Sequence, residues 1–297
     1  MTGLEATDED GVITVRWRDR TVIRYRAVTD ASKPHVDVLA PPRDAGPTGG
    51  TNLVLSRPHD HPWHLGLFFV QKLVDGINCW ESERNAAAGR TYGSAHHHAY
   101  AVDADEIVRI HHECEWQADD DESLLADERT VTTHPPVDGG VLLTWDQHLT
   151  ALGSARRLSS ETLHGHYSGL AVRFRRSMRD GLVRLPDAEN PDAGQSPRAA
   201  TGPVGAWCDY SGPVDGSPAV GDPWTAGITL MTDHPDEFRW FTMHEPYGFI
   251  AANPTWERVL RLDAGESVRW RFGVWVHAGT PDRDAIEATY DRFRGET

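Results

Sequence analysis

An alternation of period two is the strictest constraint on how this chain folds. In residues 107–116, IVRIHHECEW, Val108, Ile110, His112, Cys114 and Trp116 share one face, and Arg109, His111, Glu113 and Glu115 the other. Residues 267–277, SVRWRFGVWVH, set Val268, Trp270, Phe272, Val274 and Val276 against Arg269, Arg271, Trp275 and His277; residues 141–150 and 169–176 alternate in the same way. Successive side chains of a strand point to opposite faces, so the pattern predicts half-buried antiparallel strands. Shorter strands are expected near 12–17, 21–27, 66–73, 226–232, 238–243 and 257–262.

One helix is expected, in TPDRDAIEATYDRFRG near the end. Thr280 is read as its cap, Pro281 as its first residue, and Asp282 and Asp284 as favouring its positive N-terminus. Ile286, Tyr290 and Phe293 fall on one face, and Gly295 ends it. Two stretches break the alternation and read as long loops: about 84–99, and 186–224, the second interrupted by VGAWCDY at 204–210. Strands of one kind flank both loops and no internal repeat is found. The expectation is a single all-β domain over residues 1–297, a large antiparallel β-sandwich with one C-terminal helix and any site on its loops.

Composition narrows the function classes. A 39% hydrophobic content supports a sizeable core, while 45 acidic against 29 basic residues give a net charge of −16. That charge argues against nucleic acid and anionic membranes as partners. Cys79, Cys114 and Cys208 are odd in number and far apart, which fits free thiols in a reducing compartment. No apolar run approaches the ~20 residues that span a bilayer, and the acidic start MTGLEATDED does not read as a secretory signal. A cytoplasmic protein is expected. Phosphate-binding glycine loops and the G-x-S-x-G nucleophile elbow do not occur in the sequence.

The densest chemistry is SRPHDHPWHLGLFF at 56–69. His59, His61 and His64 can be read as a facial metal set, but Pro62 interrupts any regular strand and Trp63 precedes the last histidine. The acid–base reading asks less, because one imidazole held by Asp60 suffices for proton transfer. Trp63 and Trp80 offer flat surfaces for a sugar ring, and Arg57 and Asn78 suit its hydroxyls. A second cluster, FTMHEPYGFIAANP at 241–254, holds His244, Glu245, Tyr247 and Asn253. Glu161, His166 and Arg173 could reach a cleft from 159–174, and His277 is a lesser candidate. His112 reads as a satisfied core histidine, and His96, His97 and His98 as a solvated loop.

Several segments, in order, carry a family resemblance: RPHDHPWHLGLFF, DGINCWE, GAWCDYSGPVDG, GITLMTDHP, MHEPYGFIAANP and VRWRFGVWVHAGTPD. Together they resemble a bacterial family automatically labelled "methane oxygenase PmoA", from about residue 30 to the end. Its shared D-H-P-x-H segment falls on Asp60, His61, Pro62 and His64, its D-Y-S-G-like segment on Asp209 to Gly212, and its A-A-N-P-like segment on Ala251 to Pro254. His59 lies outside that pattern. The label does not fit a chain without membrane spans. What the resemblance implies is a β-supersandwich like that of galactose mutarotase, often encoded beside sugar oxidoreductases and isomerases.

The resulting expectation is a carbohydrate-active enzyme using general acid–base catalysis, in its most concrete form cleaving 3-keto glycosides by β-elimination and hydration. His61, His64 and His244 are the expected proton-transfer groups, with Asp60 as orienter. Arg57, Trp63, Asn78, Trp80, His166, Arg173, Tyr247 and Asn253 are the expected substrate contacts. The chemistry needs no nucleotide, and no cofactor is assigned. A divalent metal on His61, His64 and His244 is kept as an option. A small-molecule carbohydrate or glycoside is the expected partner, with a sugar oxidoreductase acting in the same pathway. The other readings are a sugar epimerase or mutarotase, a non-catalytic sugar-binding protein and, least favoured, a metal-dependent oxygenase.

Overall fold

A computed structural model describes residues 3–42, 44–81, 92–160, 166–189, 202–215 and 224–296. Its strands, all paired antiparallel in their ladders, form three sheets. The first runs in the order β1 (Leu4–Glu9), β2 (Val12–Trp17), β3 (Arg20–Arg26), β4 (His35–Leu39), β5 (Leu67–Val70), β13 (Gly169–Arg173), β19 (Phe249–Asn253) and β18 (Arg239–Met243). The second runs β15 (Ala188–Glu189), β14 (Leu182–Leu185), β16 (Trp207–Pro213), β17 (Thr225–Thr232), β21 (Ser267–Ala278), β11 (Gly140–Ala151), β10 (Ser123–Thr133), β9 (Val108–Ala118) and β8 (Gly93–Ala104). A small third sheet joins β20 (Leu260–Leu262), β12 (Arg156–Ser159), β6 (Leu73–Val74) and β7 (Ile77–Asn78).

The two large sheets pack face to face as a β-sandwich over one continuous core. Tyr25 of the first sheet meets Trp145 of the second edge-on at 6.2 Å, and Phe69 packs on Trp270 at 5.8 Å. The alternation read in β9 is realised: Val108, Ile110, His112, Cys114 and Trp116 are buried, and Arg109, His111 and Glu113 exposed. Burying a peptide dipole or charge without a partner is costly, so the core's polar groups are tied together. Tyr25 Oη lies 2.7 Å from His112 Nδ1. Asp127 accepts from Arg129, from Trp116 Nε1 at 2.9 Å and from Gln147 Nε2 at 2.6 Å.

Four expectations need correction. Residues 93–99 are not loop: they open β8, whose His97 bonds His112 at 3.0 Å. VGAWCDY runs into β16, an interior strand of the larger sheet; residues 84–91, 190–201 and 216–223 of the expected loops, and Glu161, lie outside the described residues. Trp275 and His277, assigned to a polar face, are buried. The cause is a second layer. Helix α1 (Arg283–Gly295) lays Ile286, Tyr290 and Phe293 over Leu142, Trp207, Met231 and Trp275, with the Phe293 ring seated where Gly273 leaves room. His277 Nε2 lies 2.9 Å from Asp209, which also accepts from Arg184, Ser211 and Thr229. The helix cap is Asp282 rather than Thr280, its carboxylate accepting from Ala285 N at 2.8 Å.

Candidate functional site

The histidine-rich stretch is a closed loop on the first sheet. An isolated bridge pairs Ser56 with Leu65, and Arg57 N donates to His64 O at 2.8 Å across its neck. Two turns, His61 N to Pro58 O and His64 N to His61 O, fold the tip. Arg57 adopts a left-handed φ of 52° to make the reversal. The result separates the histidines by role. His61 reaches the surface with about a third of its side chain exposed, at 31%, whereas His64 is buried.

Five side chains converge at the loop tip. His61 Nδ1 lies 3.0 Å from Asp60 Oδ2, which also accepts from Arg173 Nη2 at 2.8 Å; Arg176 Nη2 reaches Oδ1 at 3.3 Å. Tyr247 Oη lies 3.3 Å from His61 Nε2. The guanidinium carbon of Arg173 stands 3.4 Å from the centre of the Tyr247 ring. Partial burial pushes the Asp60 carboxyl up, but its bonds to His61 and Arg173 outweigh that and hold it well below the usual carboxylate range. Burial pushes the Tyr247 phenol up, with Arg173 opposing, so it stays protonated at neutral pH. The arrangement is therefore an imidazole fixed on one nitrogen by a carboxylate, with a neutral phenol at the other.

Behind His61 lies an aromatic wall. His64 stacks under it at 4.7 Å and packs against Phe249 and Trp80, while Trp63 meets His61 edge-on at 5.2 Å. Trp80 is buried and contacts Tyr167 at 5.3 Å. At the far end Lys72 Nζ, 5.9 Å from the Trp80 ring and 5.8 Å from Tyr167, donates to both oxygens of Glu81 at 2.9 and 2.8 Å. Asn78 Nδ2 also donates to Glu81.

The expected site residues divide accordingly. Asp60, His61, Trp63, Arg173 and Tyr247 come together, so the 56–64 and 241–254 clusters do meet, through Tyr247. His64 is a correction: burial pushes its imidazole well below the usual range, which keeps it neutral, and its Nδ1 has no partner. It supports His61 rather than exchanging protons with a ligand. His244 lies at the start of the loop, beside Glu245, with its carbonyl accepting from Asp180 N at 3.0 Å; it is Tyr247 that reaches His61. Arg57 turns to the opposite side of the loop, pairing with Asp30 at 2.8 Å on the rim of a cavity of about 650 Å³ that His96 and His97 also line. Asn78 and Trp80 face inward, the first holding Glu81 and the second forming the floor. Asn253 binds the His166 carbonyl at 2.7 Å and His166 stacks on Trp256 at 4.5 Å, so both brace the chain around β13 and β19.

Among the described residues no group of three or more His, Cys, Asp or Glu side chains is placed to hold a metal ion. In particular, His61 and His64 stand nearly parallel, 19° between planes, instead of converging their lone pairs on one point. Sequence reasoning missed Lys72, Glu81 and Tyr167. Lys72 is one of only two lysines in the chain, an available signal once its burial is known.

Fold and site together define an antiparallel β-sandwich protein with a histidine–carboxylate–tyrosine cluster on one sheet. The chain belongs to a family of unknown function, DUF6807, whose profile matches residues 12–291. No curated protein matches it.

Proposed function

We propose that this protein is a carbohydrate-active enzyme using general acid–base catalysis, and that it cleaves 3-keto glycosides. The observation that carries the reading is the line Asp60–His61–Tyr247. With Nδ1–H donated to Asp60, His61 keeps the lone pair on Nε2, next to the proton of a phenol. Base and acid thus share one small, partly exposed spot, beside the half-buried faces of Trp63 and Tyr167.

A ketone at C3 acidifies the C2–H bond. His61 Nε2 takes that proton, and the electron pair forms the C2=C3 enolate. As the enolate collapses, the C1–O bond breaks and the departing glycosidic oxygen takes the Tyr247 proton. The imidazolium then returns its proton to the phenolate. Water adds to C1 of the enone and a proton to C2, completing a net hydrolysis. Asp60 stabilises the imidazolium while it exists. An oxidoreductase that forms the ketone is the class of enzyme that supplies such a substrate. The resemblance to the soluble proteins labelled PmoA, and through them to mutarotase-like sandwiches, agrees with a sugar ligand, but fold likeness alone carries no mechanism.

The test is a mass-spectrometric product assay on the purified protein, with matched glycosides and their 3-keto counterparts, with and without added divalent metal. Aglycone release from the keto sugars alone supports the elimination. Inversion at C2 without release, read by proton NMR of the same mixtures, would replace it by epimerisation, and no change in either series would overturn the catalytic reading.

A further inference from the structure

The acid–base cluster occupies one end of the aromatic wall, and the Lys72–Glu81 pair the other. The pair is asymmetric: the Lys72 side chain is 2% exposed and the Glu81 side chain 23%. Burying an ammonium is expensive, and a buried ion pair is weak support for stability in itself. What this one achieves is orientation. Lys72 and Asn78 fill both acceptor positions of Oε2, whereas among the described residues Oε1 takes Lys72 alone and keeps one lone pair. Burial pushes the Glu81 carboxyl up, but Lys72 and Asn78 outweigh it and keep it ionised. Tyr167 links the two ends: it packs on Trp80, and its hydroxyl lies within electrostatic reach of both Tyr247 and Glu81.

We infer that Glu81, clamped by Lys72 and Asn78, is the hydroxyl-recognition group of this site and selects neutral sugars over sugar acids. The inference rests on the carbohydrate reading above. If C1 to C3 of the ring lie at His61 and Tyr247, the hydroxyls on C4 and C6 lie toward the opposite end. A fixed carboxylate accepts a hydrogen bond from a hydroxyl there and repels a carboxylate at C6.

The test measures binding apart from turnover, in the His61→Asn background, by titration calorimetry. The probes are methyl β-glucoside, methyl β-galactoside and the two corresponding methyl uronides. The neutral glycosides should bind at least tenfold more tightly than their uronides, and Glu81→Gln should weaken the neutral ones at least tenfold. Because Glu81→Gln strands the Lys72 charge, the paired change Glu81→Gln with Lys72→Met is measured beside it, and Tyr167→Phe as a milder third variant. A folded paired variant that binds all four probes as its parent does would overturn the inference and leave the acid–base reading standing. No binding of any probe by the parent would overturn the inference as well, while the acid–base reading stands or falls on the keto-glycoside product assay.

Discussion

The Arg173 guanidinium lies 3.4 Å from the centre of the Tyr247 ring while one of its nitrogens holds Asp60 at 2.8 Å. Arg173 ends β13, and its ladder partner Phe249 opens β19 two residues after Tyr247. A single sheet residue thus fixes two loops against each other, the one carrying Asp60 and His61 and the one carrying Tyr247. A desolvated cation over an aromatic face contributes about 2 kcal/mol, and the ionised hydrogen bond adds to it. Side chains placed by a paired strand are held more precisely than loop groups holding one another.

This arrangement predicts a split between two neighbouring substitutions. Tyr247→Phe keeps the ring under Arg173 and removes only the hydroxyl, so turnover of a keto glycoside should fall roughly 10²-fold or more with little change in melting temperature. Arg173→Met takes away the buried cation that holds Asp60, leaving it to His61 and the exposed Arg176, and uncovers the ring, so it should cost about 1–3 kcal/mol of stability as well as activity. Parallel kinetics and urea denaturation check this. Equal stability losses in both variants would contradict it.

Asp60→Asn tests the orienting carboxylate. The amide can still meet Nδ1, but it cannot stabilise an imidazolium and loses its charge toward Arg173. The expected result is a fall in kcat of roughly 10²–10⁴-fold, with substrate affinity largely kept. A fall in affinity with kcat unchanged would place Asp60 in binding instead.

Much of the fold could be read from sequence because period two leaves a direct mark: β2, β9, β11 and β21 fall close to where alternation puts them. The reading failed where a face was covered by something distant in sequence. Trp275 and His277 alternate correctly, yet helix α1 and Asp209 make their polar side an interior. β8 was hidden because its histidines and alanines are poor markers of a buried face, and most of that strand is in fact exposed. The site was legible to the extent that its groups are local, as in Asp60-His61. Lys72 and Glu81 escaped because their meaning lies in burial and in a pairing that no short motif encodes.

The buried pair in the core gives a stability prediction. Asp127 and Arg129 have fully buried side chains, and the carboxylate also holds Trp116 and Gln147. Asp127→Ala leaves a guanidinium without its counter-ion and should cost about 3–5 kcal/mol. Replacing the pair with Asp127→Leu and Arg129→Met together should recover a large part of that loss, because no lone charge remains. Urea midpoints of the two variants decide it: a double variant no better than the single would show that the network around Asp127, not the stranded charge, carries the cost.

Lys33 gives the pH prediction. Its ammonium is fully buried, 3.1 Å from the Trp80 carbonyl and 5.6 Å from the centre of the Phe68 ring. Burial pushes it down from the ordinary 10.5 to about 7, with Cys79 and Glu81 pulling the other way. Below pH 7 the folded and unfolded chains both carry the proton, and the folded state bears the full penalty of a buried charge. Between pH 7 and 10.5 the unfolded chain binds more protons than the folded one, so this group makes stability rise with pH; above 10.5 neither holds the proton. The Cys79 thiol, pushed up by burial from 9.0 to about 12, opposes that slope above pH 9, where only the unfolded chain loses the thiol proton; it is present in wild type and variant alike and so cancels in their difference. Lys33→Met removes the titrating group and keeps most of its apolar length. The difference in urea midpoint between variant and wild type should favour the variant most at pH 7 and shrink steadily toward pH 9.5. A difference independent of pH would mean that Lys33 remains charged throughout, held by the Trp80 carbonyl and the Ser32 hydroxyl 3.0 Å away.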